Sequence, residues 1–223
     1  MTATGSAGGV PGGLVPAEEL ERLSSWPVEV ARSDLAAYFS FSLADLRWLR
    51  SHRGAGERIG LAVQLGAVRF LGFVPVALAD TPPEVAGHVG KQIGVAPATF
   101  RRYARDTDGR TRRRHVAAVV EHAGWRACGQ REWSSLAGWL TERALEHDTP
   151  TILFGQALDQ LRAERVVRPG LDRLMRAVSS ARVNGRKEIR RRFRPELTPE
   201  RCEQLDGLLV TDPELGIARL VWL

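Results

Sequence analysis

Cysteine is nearly absent from this chain: its 223 residues include only Cys128 and Cys202. Two cysteines cannot build a disulfide framework or a four-cysteine zinc site, and their scarcity fits a reducing, cytoplasmic setting. Long apolar runs are missing as well. No stretch approaches the ~20 residues of a transmembrane helix, so no membrane partner is expected. The opening MTATGSAGGVPGGLVP has neither the basic start nor the apolar run of a secretory signal. Residues 1–25 are expected to be a flexible tail, with a short helix at Glu18–Leu23 that breaks before Trp26-Pro27. Strict apolar/polar alternation is lacking too, which argues against β-strands, and no segment repeats.

Catalytic patterns are equally lacking. The histidines are His52, His88, His115, His122 and His147. No cysteine or carboxylate set completes a zinc site around them. There is no phosphate loop, no glycine fingerprint after a strand and no nucleophile elbow. Asp106 and Asp108 stand beside seven arginines without a calcium-loop pattern, so they read as a charge-balanced turn. No catalytic residue, metal ligand or cofactor is expected.

What the chain does have is positive charge in two places. The formal net charge of +6 is spread unevenly: residues 101–115 carry +5 and residues 186–194 another +5, while residues 195–223 carry −4 and the rest is near balance. Thirty of the 32 basic residues are arginine, which an arginine- and alanine-rich composition produces by itself. The focusing is the informative part. Two short basic patches on a balanced chain point to a polyanion touching two places.

The first patch follows a suggestive spacing. Pro82-Pro83 can open a helix, on which Val85, Val89 and Ile93 recur at four-residue intervals. Gly90 is small enough to let a second helix cross closely. Gly94 can take the left-handed conformation that ends the helix, and Val95 plugs the turn. Pro97 opens the next helix, with Phe100, Tyr103 and Ala104 inward and Thr99, Arg101, Arg102 and Arg105 outward. An apolar back and a basic front suit the second helix of a helix-turn-helix, and Lys91 lies on the first. An ordinary helical hairpin with a solvated basic face has the same spacing. Beyond the turn at Asp106–Gly109 and after Arg110, Thr111 is expected to cap a helix whose first turn holds Arg112, Arg113 and Arg114, followed by His115. Cations there oppose the helix dipole unless an anion such as a DNA phosphate binds the helix start.

Elsewhere, Ser33 and Ser42 are expected as helix N-caps, with Leu43, Leu46 and Leu49 facing inward from the second of these helices. A core helix spans about Glu57–Phe70. Helices are expected over about 131–146 and 150–165, and Arg168-Pro169-Gly170 then turns into one carrying Leu171, Leu174, Val178 and Ala181. That pair is a weaker candidate for a second helix-turn-helix, followed by the patch of Arg186, Lys187, Arg190, Arg191 and Arg192. A last helix from Thr198-Pro199 places Cys202, Leu205, Leu208 and Leu209 inward, before an apolar end at Leu215–Leu223. The expectation is an all-α fold of two small helical domains, residues 26–125 and 126–223.

Several of these stretches resemble the N-terminal region of Tn-three family transposases, the replicative, cointegrate-forming bacterial transposons. The resembling pieces are LAAYFSFSLADLRWLR, RIGLAVQLGAVRFLGF, VAGHVGKQIGVAPATFRRYA, the TRRRH segment, WLTERALEHDTP, VVRPGLDRL and LTPERCEQLDGLL. Their order covers roughly Trp26–Leu223. The resemblance implies sequence-specific binding of double-stranded DNA at transposon terminal inverted repeats, on the bacterial nucleoid. It also implies that strand cleavage belongs to a separate nuclease domain with three acidic residues, so that this chain is expected to bind and not to cut. Asp106–Gly109 departs from the family pattern as an insertion. The alternative is a helical protein-interaction adaptor, a non-catalytic modulator of full-length transposase or a self-associating chain, for which the apolar end is the pointer.

Overall fold

A computed structural model describes residues 15–211 and Ala218. The described chain is all-α. In chain order the helices are α1 (Ala17–Ser24), α2 (Arg32–Tyr38), α3 (Leu43–Arg50), α4 (Ala55–Leu71), α5 (Pro83–Ile93), α6 (Pro97–Asp106), α7 (Gly109–His122), α8 (Gln130–Arg143), α9 (Pro150–Ala163), α10 (Leu171–Phe193) and α11 (Pro199–Leu209), with 3-10 turns at Leu78–Asp80 and Arg194–Glu196. The apolar end expected at Leu215–Leu223 lies outside the described residues except for Ala218, as do residues 1–14 of the expected tail.

Two hydrophobic clusters organise the helices. The first runs from Trp26 to Val120 and is centred on α4, whose residues Ile59–Val68 are all buried. A helix apolar on every side can only sit at a centre, and α2, α3, α5, α6 and α7 surround it. The second cluster is built by α8, α9 and α10. It also takes Val15, Leu20 and Leu23 from the N-terminal segment, with Val15 3% exposed. The expected tail is therefore corrected over residues 15–24: Val15 and the helix α1 pack on the second cluster through Val15, Leu20 and Leu23, and the short helix expected at Glu18–Leu23 lies within α1.

Local chemistry corrects other expectations. Ser42 does cap α3, in a capping box with Asp45: the Asp45 N–H donates to Ser42 Oγ (3.1 Å) and the Ser42 N–H to Asp45 Oδ2 (2.9 Å). Leu49 is buried and Leu46 half-buried as expected, but the first turn of α3 departs from the expected face. Leu43 is exposed, and Asp45 is turned inward at 4% exposure. There its carboxylate accepts from Arg69 on α4 (2.9 Å) and lies 2.9 Å from His122 Nε2 on α7, whose ring stacks on Trp48. One charge thus ties three helices. The Ser33 cap is also corrected: α2 begins at Arg32, and its N-cap, Ala31, has no side-chain acceptor. The last helix departs most, because Leu205, Leu209 and Cys202 of α11 are exposed instead of packed. Leaving α10 beyond its last buried position, Gly185, the chain has run past the second cluster.

The expected turn at Arg168–Gly170 is longer than a helix-turn-helix allows. Residues 164–170 separate α9 from α10. Arg165 takes a left-handed conformation (φ 53°), and the following residues run extended beside residue 126, with Arg126 N–H donating to Arg165 O and Val167 N–H to Arg126 O, both at 2.8 Å.

Burial pushes the Asp45 carboxyl up, but hydrogen bonds from Arg69, Ser42 and His122 outweigh it and hold the group well below the ordinary carboxylate range. A depressed acid stabilises the fold above its unfolded value, and that stability is lost as pH falls below about 4. Asp45→Asn removes the charge and leaves Arg69 unanswered, so urea denaturation at neutral pH should show a loss of about 3 kcal/mol. The variant's stability should also fall less steeply than the native chain's on acidification.

Candidate nucleic-acid interface

The first basic patch lies on α6 and α7, and the local sequence explains how both are held. Gly94 has φ 68°, the left-handed conformation a side chain resists, so α5 stops and the chain turns through Gly94–Ala96 into α6. The Val95 N–H closes on Gly90 O (3.0 Å). Gly90 is small for this turn and not for a crossing helix, since a Cβ there would stand 2.4 Å from Val95 O. Gln92 pins α5 to the α2–α3 connection, donating to Phe39 O (2.7 Å) and accepting from Phe41 N–H (3.0 Å).

The back of α6 is fastened by Tyr103. Its ring lies over Gly60 of α4, where a Cβ would be 2.2 Å from Tyr103 Cε1. Its hydroxyl accepts from Gln64 Nε2 (2.8 Å) and meets His115 Nδ1 of α7 (2.7 Å). On the other side of the ring, His115 Nε2 lies 3.2 Å from Glu57 Oε1 of α4. Burial pushes the Tyr103 hydroxyl up to about 12. Burial also lowers His115, against the opposing pull of Glu57. A glutamine inside the apolar run IGLAVQLGAV was the available signal for this network, because a buried amide needs partners.

The predicted contact residues separate by environment. Lys91, Arg101, Arg102, Arg110, Arg113 and Arg114 are exposed, and among the described residues no carboxylate lies within 4.0 Å of their charged groups. Arg105 is exposed but paired with Asp106 (2.8 Å). Arg112 is half-buried and donates to Pro75 O (3.3 Å). Thr99 is half-buried towards α4, with Cγ2 near the Gly56 position, and not outward as expected. His115 is 5% exposed and held by Tyr103, so it is not available to a phosphate.

The start of α7 is also corrected. Its cap is Asp108, not Thr111: one carboxylate oxygen accepts the N–H groups of Arg110 (2.8 Å) and Thr111 (3.0 Å). These backbone bonds, Thr111 first, hold the Asp108 carboxyl below its ordinary range. The helix therefore carries its own anion at the N-terminus, and Arg112–Arg114 fall on its second turn. The second patch, on the end of α10, is partly self-neutralised. Arg186 joins Arg182 on Asp148, and Arg191 and Arg192 both hold Glu188. Lys187 and Arg190 line an open cleft with Arg194 and have no such partner among the described residues. Within those residues no group of three metal-ligating side chains forms, and no helix is long and apolar enough to cross a membrane.

A family model described as "Domain of unknown function (DUF4158)" matches residues 14–181. The chain belongs to the DUF4158 family. It corresponds to the N-terminal region of Tn3-family transposases. It is 32% identical over 194 residues to the transposase for transposon Tn501 of Pseudomonas aeruginosa, covering 86% of this chain and 19% of that protein. It is 30% identical over 184 residues to the transposase for transposon gamma-delta of Escherichia coli strain K12 (81% and 18%). The transposase for transposon Tn1546 of Enterococcus faecium matches at 28% over 177 residues (79% and 18%). The DUF4158 chain thus spans about a fifth of the length of these relatives.

The Tyr103 network makes two expectations for the DUF4158 fold. Tyr103→Phe leaves His115 Nδ1 unpaired and the Gln64 amide nitrogen with only its bond to Gly60 O, and should cost about 1–3 kcal/mol in urea unfolding. A lowered His115 binds fewer protons folded than unfolded, so stability should rise with pH through the ordinary histidine range and be lower at about pH 5.5 than at about pH 7.

Proposed function

We propose that this chain binds double-stranded DNA in a sequence-specific way, at the terminal inverted repeats of a transposon, as part of the transposition machinery. The observation that carries the reading is the set of exposed arginines on two consecutive helices, α6 and α7, unanswered by carboxylates while many other arginines in the fold are paired. The similarity to transposases over most of the chain supports it. In this reading α5 and α6 act as a helix-turn-helix. Arg101 and Arg102 reach base edges in the major groove, with Arg105 and Lys91 beside them. Arg110, Arg113 and Arg114 grip phosphates as charged side chains, since the amides at the start of α7 are already satisfied by Asp108. Lys187 and Arg190 provide a second phosphate contact, so that each hydrophobic cluster serves as one DNA-facing domain. The role is binding in the cytoplasm, on the nucleoid, with strand cutting supplied by a nuclease domain elsewhere in the machinery.

A second reading, association with a longer transposase or a second copy, is favoured by the exposed Leu205 and Leu209 of α11. Sedimentation with and without DNA separates the two: a chain that associates without DNA at high salt and binds no duplex supports this second reading.

The DNA reading is checked by titrating inverted-repeat and random duplexes across salt concentrations. The logarithm of affinity should fall with the logarithm of salt, at about −0.9 per phosphate neutralised. Arg101→Ala or Arg102→Ala should weaken the repeat by about 1–3 kcal/mol and narrow its advantage over random DNA. Arg113→Ala should weaken all duplexes alike and make the salt slope shallower by about one phosphate. Equal affinity for the repeat and for random DNA would discard the sequence-specific part.

A further inference from the structure

The loop between α4 and the first 3-10 turn carries an apolar tip that packing does not use. Val76 is 85% exposed, while the loop around it is held from several sides. Gly72 O accepts the Arg168 N–H (3.0 Å), and the Arg168 guanidinium lies 4.0 Å over the Phe73 ring. Pro75 is buried, and its carbonyl accepts from Arg112 (3.3 Å). Leu78, two residues after Val76, is buried in the turn that packs on α6. A fixed loop that leaves one valine in solvent is shaped for contact. Between this tip and α7 opens a cleft of about 550 Å³, walled by Val74, Val76, Val116 and Val120, with Arg112 and Arg113 also lining it.

We propose that this cleft takes the C5-methyl group of a pyrimidine in the bound DNA, an inference that rests on the DNA reading above. The chemistry narrows the ligand. Valine walls offer no hydrogen bond, so the group they receive must be apolar. The arginines place a phosphate backbone beside it. The apolar group that a base pair presents in the major groove is the C5-methyl of thymine, and methylation of cytosine puts the same group at the same ring position. The loop's 3-10 turn packs on α6 and Arg113 lines the cleft, so a duplex held by α6 and gripped by Arg113 runs along the cleft's rim. The site reads a methyl group next to the bases read by α6, and gives the chain a response to cytosine methylation.

The test uses the full chain and a duplex that the chain itself selects from a random-sequence pool. Each thymine is replaced singly by uracil, which removes the methyl and nothing else. Each cytosine is replaced singly by 5-methylcytosine. Uracil at one or two positions should weaken binding about fourfold, the effect of one buried methyl group. Val76→Ser should weaken the unmodified duplex by a similar factor and become indifferent to uracil there, with unchanged circular dichroism. Val76→Ile should keep the preference for thymine. At the sensitive position, a cytosine–guanine pair should bind better when the cytosine is methylated. The proposal is overturned if no uracil position weakens binding, or if Val76→Ser keeps the native thymine preference. It is also overturned if Val76→Ser weakens binding while uracil has no effect, which would make the contact one with deoxyribose. A native chain that selects no duplex would instead remove the DNA reading on which the cleft depends.

Discussion

Tyr103 can lie flat on α4 only because residue 60 has no side chain, and the placing of the basic helices follows from that contact. The ring fixes the height of α6 over the buried central helix. Its hydroxyl then joins Gln64 of α4 to His115 of α7. Breaking a polar chain at 0–8% exposure strands its groups away from water, so α6 and α7 are held in one relative position by the same atoms. Asp45 does the corresponding work on the far side, joining α3, α4 and α7 through Arg69 and His122. Between them these groups make a stiff platform out of helices that are individually short.

The two hydrophobic clusters are not joined by a simple linker. Arg168 sits where they meet, its backbone bonded to Gly72, its guanidinium donating to Leu23 O (3.0 Å) and covering Phe73. Burial lowers its pKa to about 10, which still leaves it charged at neutral pH. Arg162 donates to Phe70 O beside it. Main-chain carbonyls are the acceptors in these bonds, so the junction depends on backbone position and not on a complementary charge.

Charge has two different uses in this chain. Arg69 is matched to the buried Asp45, while Arg182, Arg186, Arg191 and Arg192 are matched to exposed carboxylates, pairs that solvent screens and that add little to stability. The arginines of α6 and α7 are mostly unmatched, and Asp108 spends its carboxylate on backbone amides instead of on them. The +5 of residues 101–115 is therefore more available to a polyanion than the equal formal charge of residues 186–194.

By itself the sequence determined the helical class, the ends of α5 and α6, the apolar backs of those helices and the segments that hold the positive charge. These are local matters: proline and glycine punctuate the backbone, and the 3.6-residue period places side chains on one face. Which side chains are usable was decided by tertiary structure. His115 and Thr99 lie in the same basic stretch as Arg101 and Arg113, yet packing against α4 turns them inward. Leu43, Leu205 and Leu209 are apolar but exposed, because nothing described packs across from them, while Asp45 is charged but buried because Arg69 and His122 meet it there. A burial preference is a property of one residue. The partner that satisfies or refuses it stands 24 to 77 residues away in the case of Asp45, and only the folded chain brings the two together.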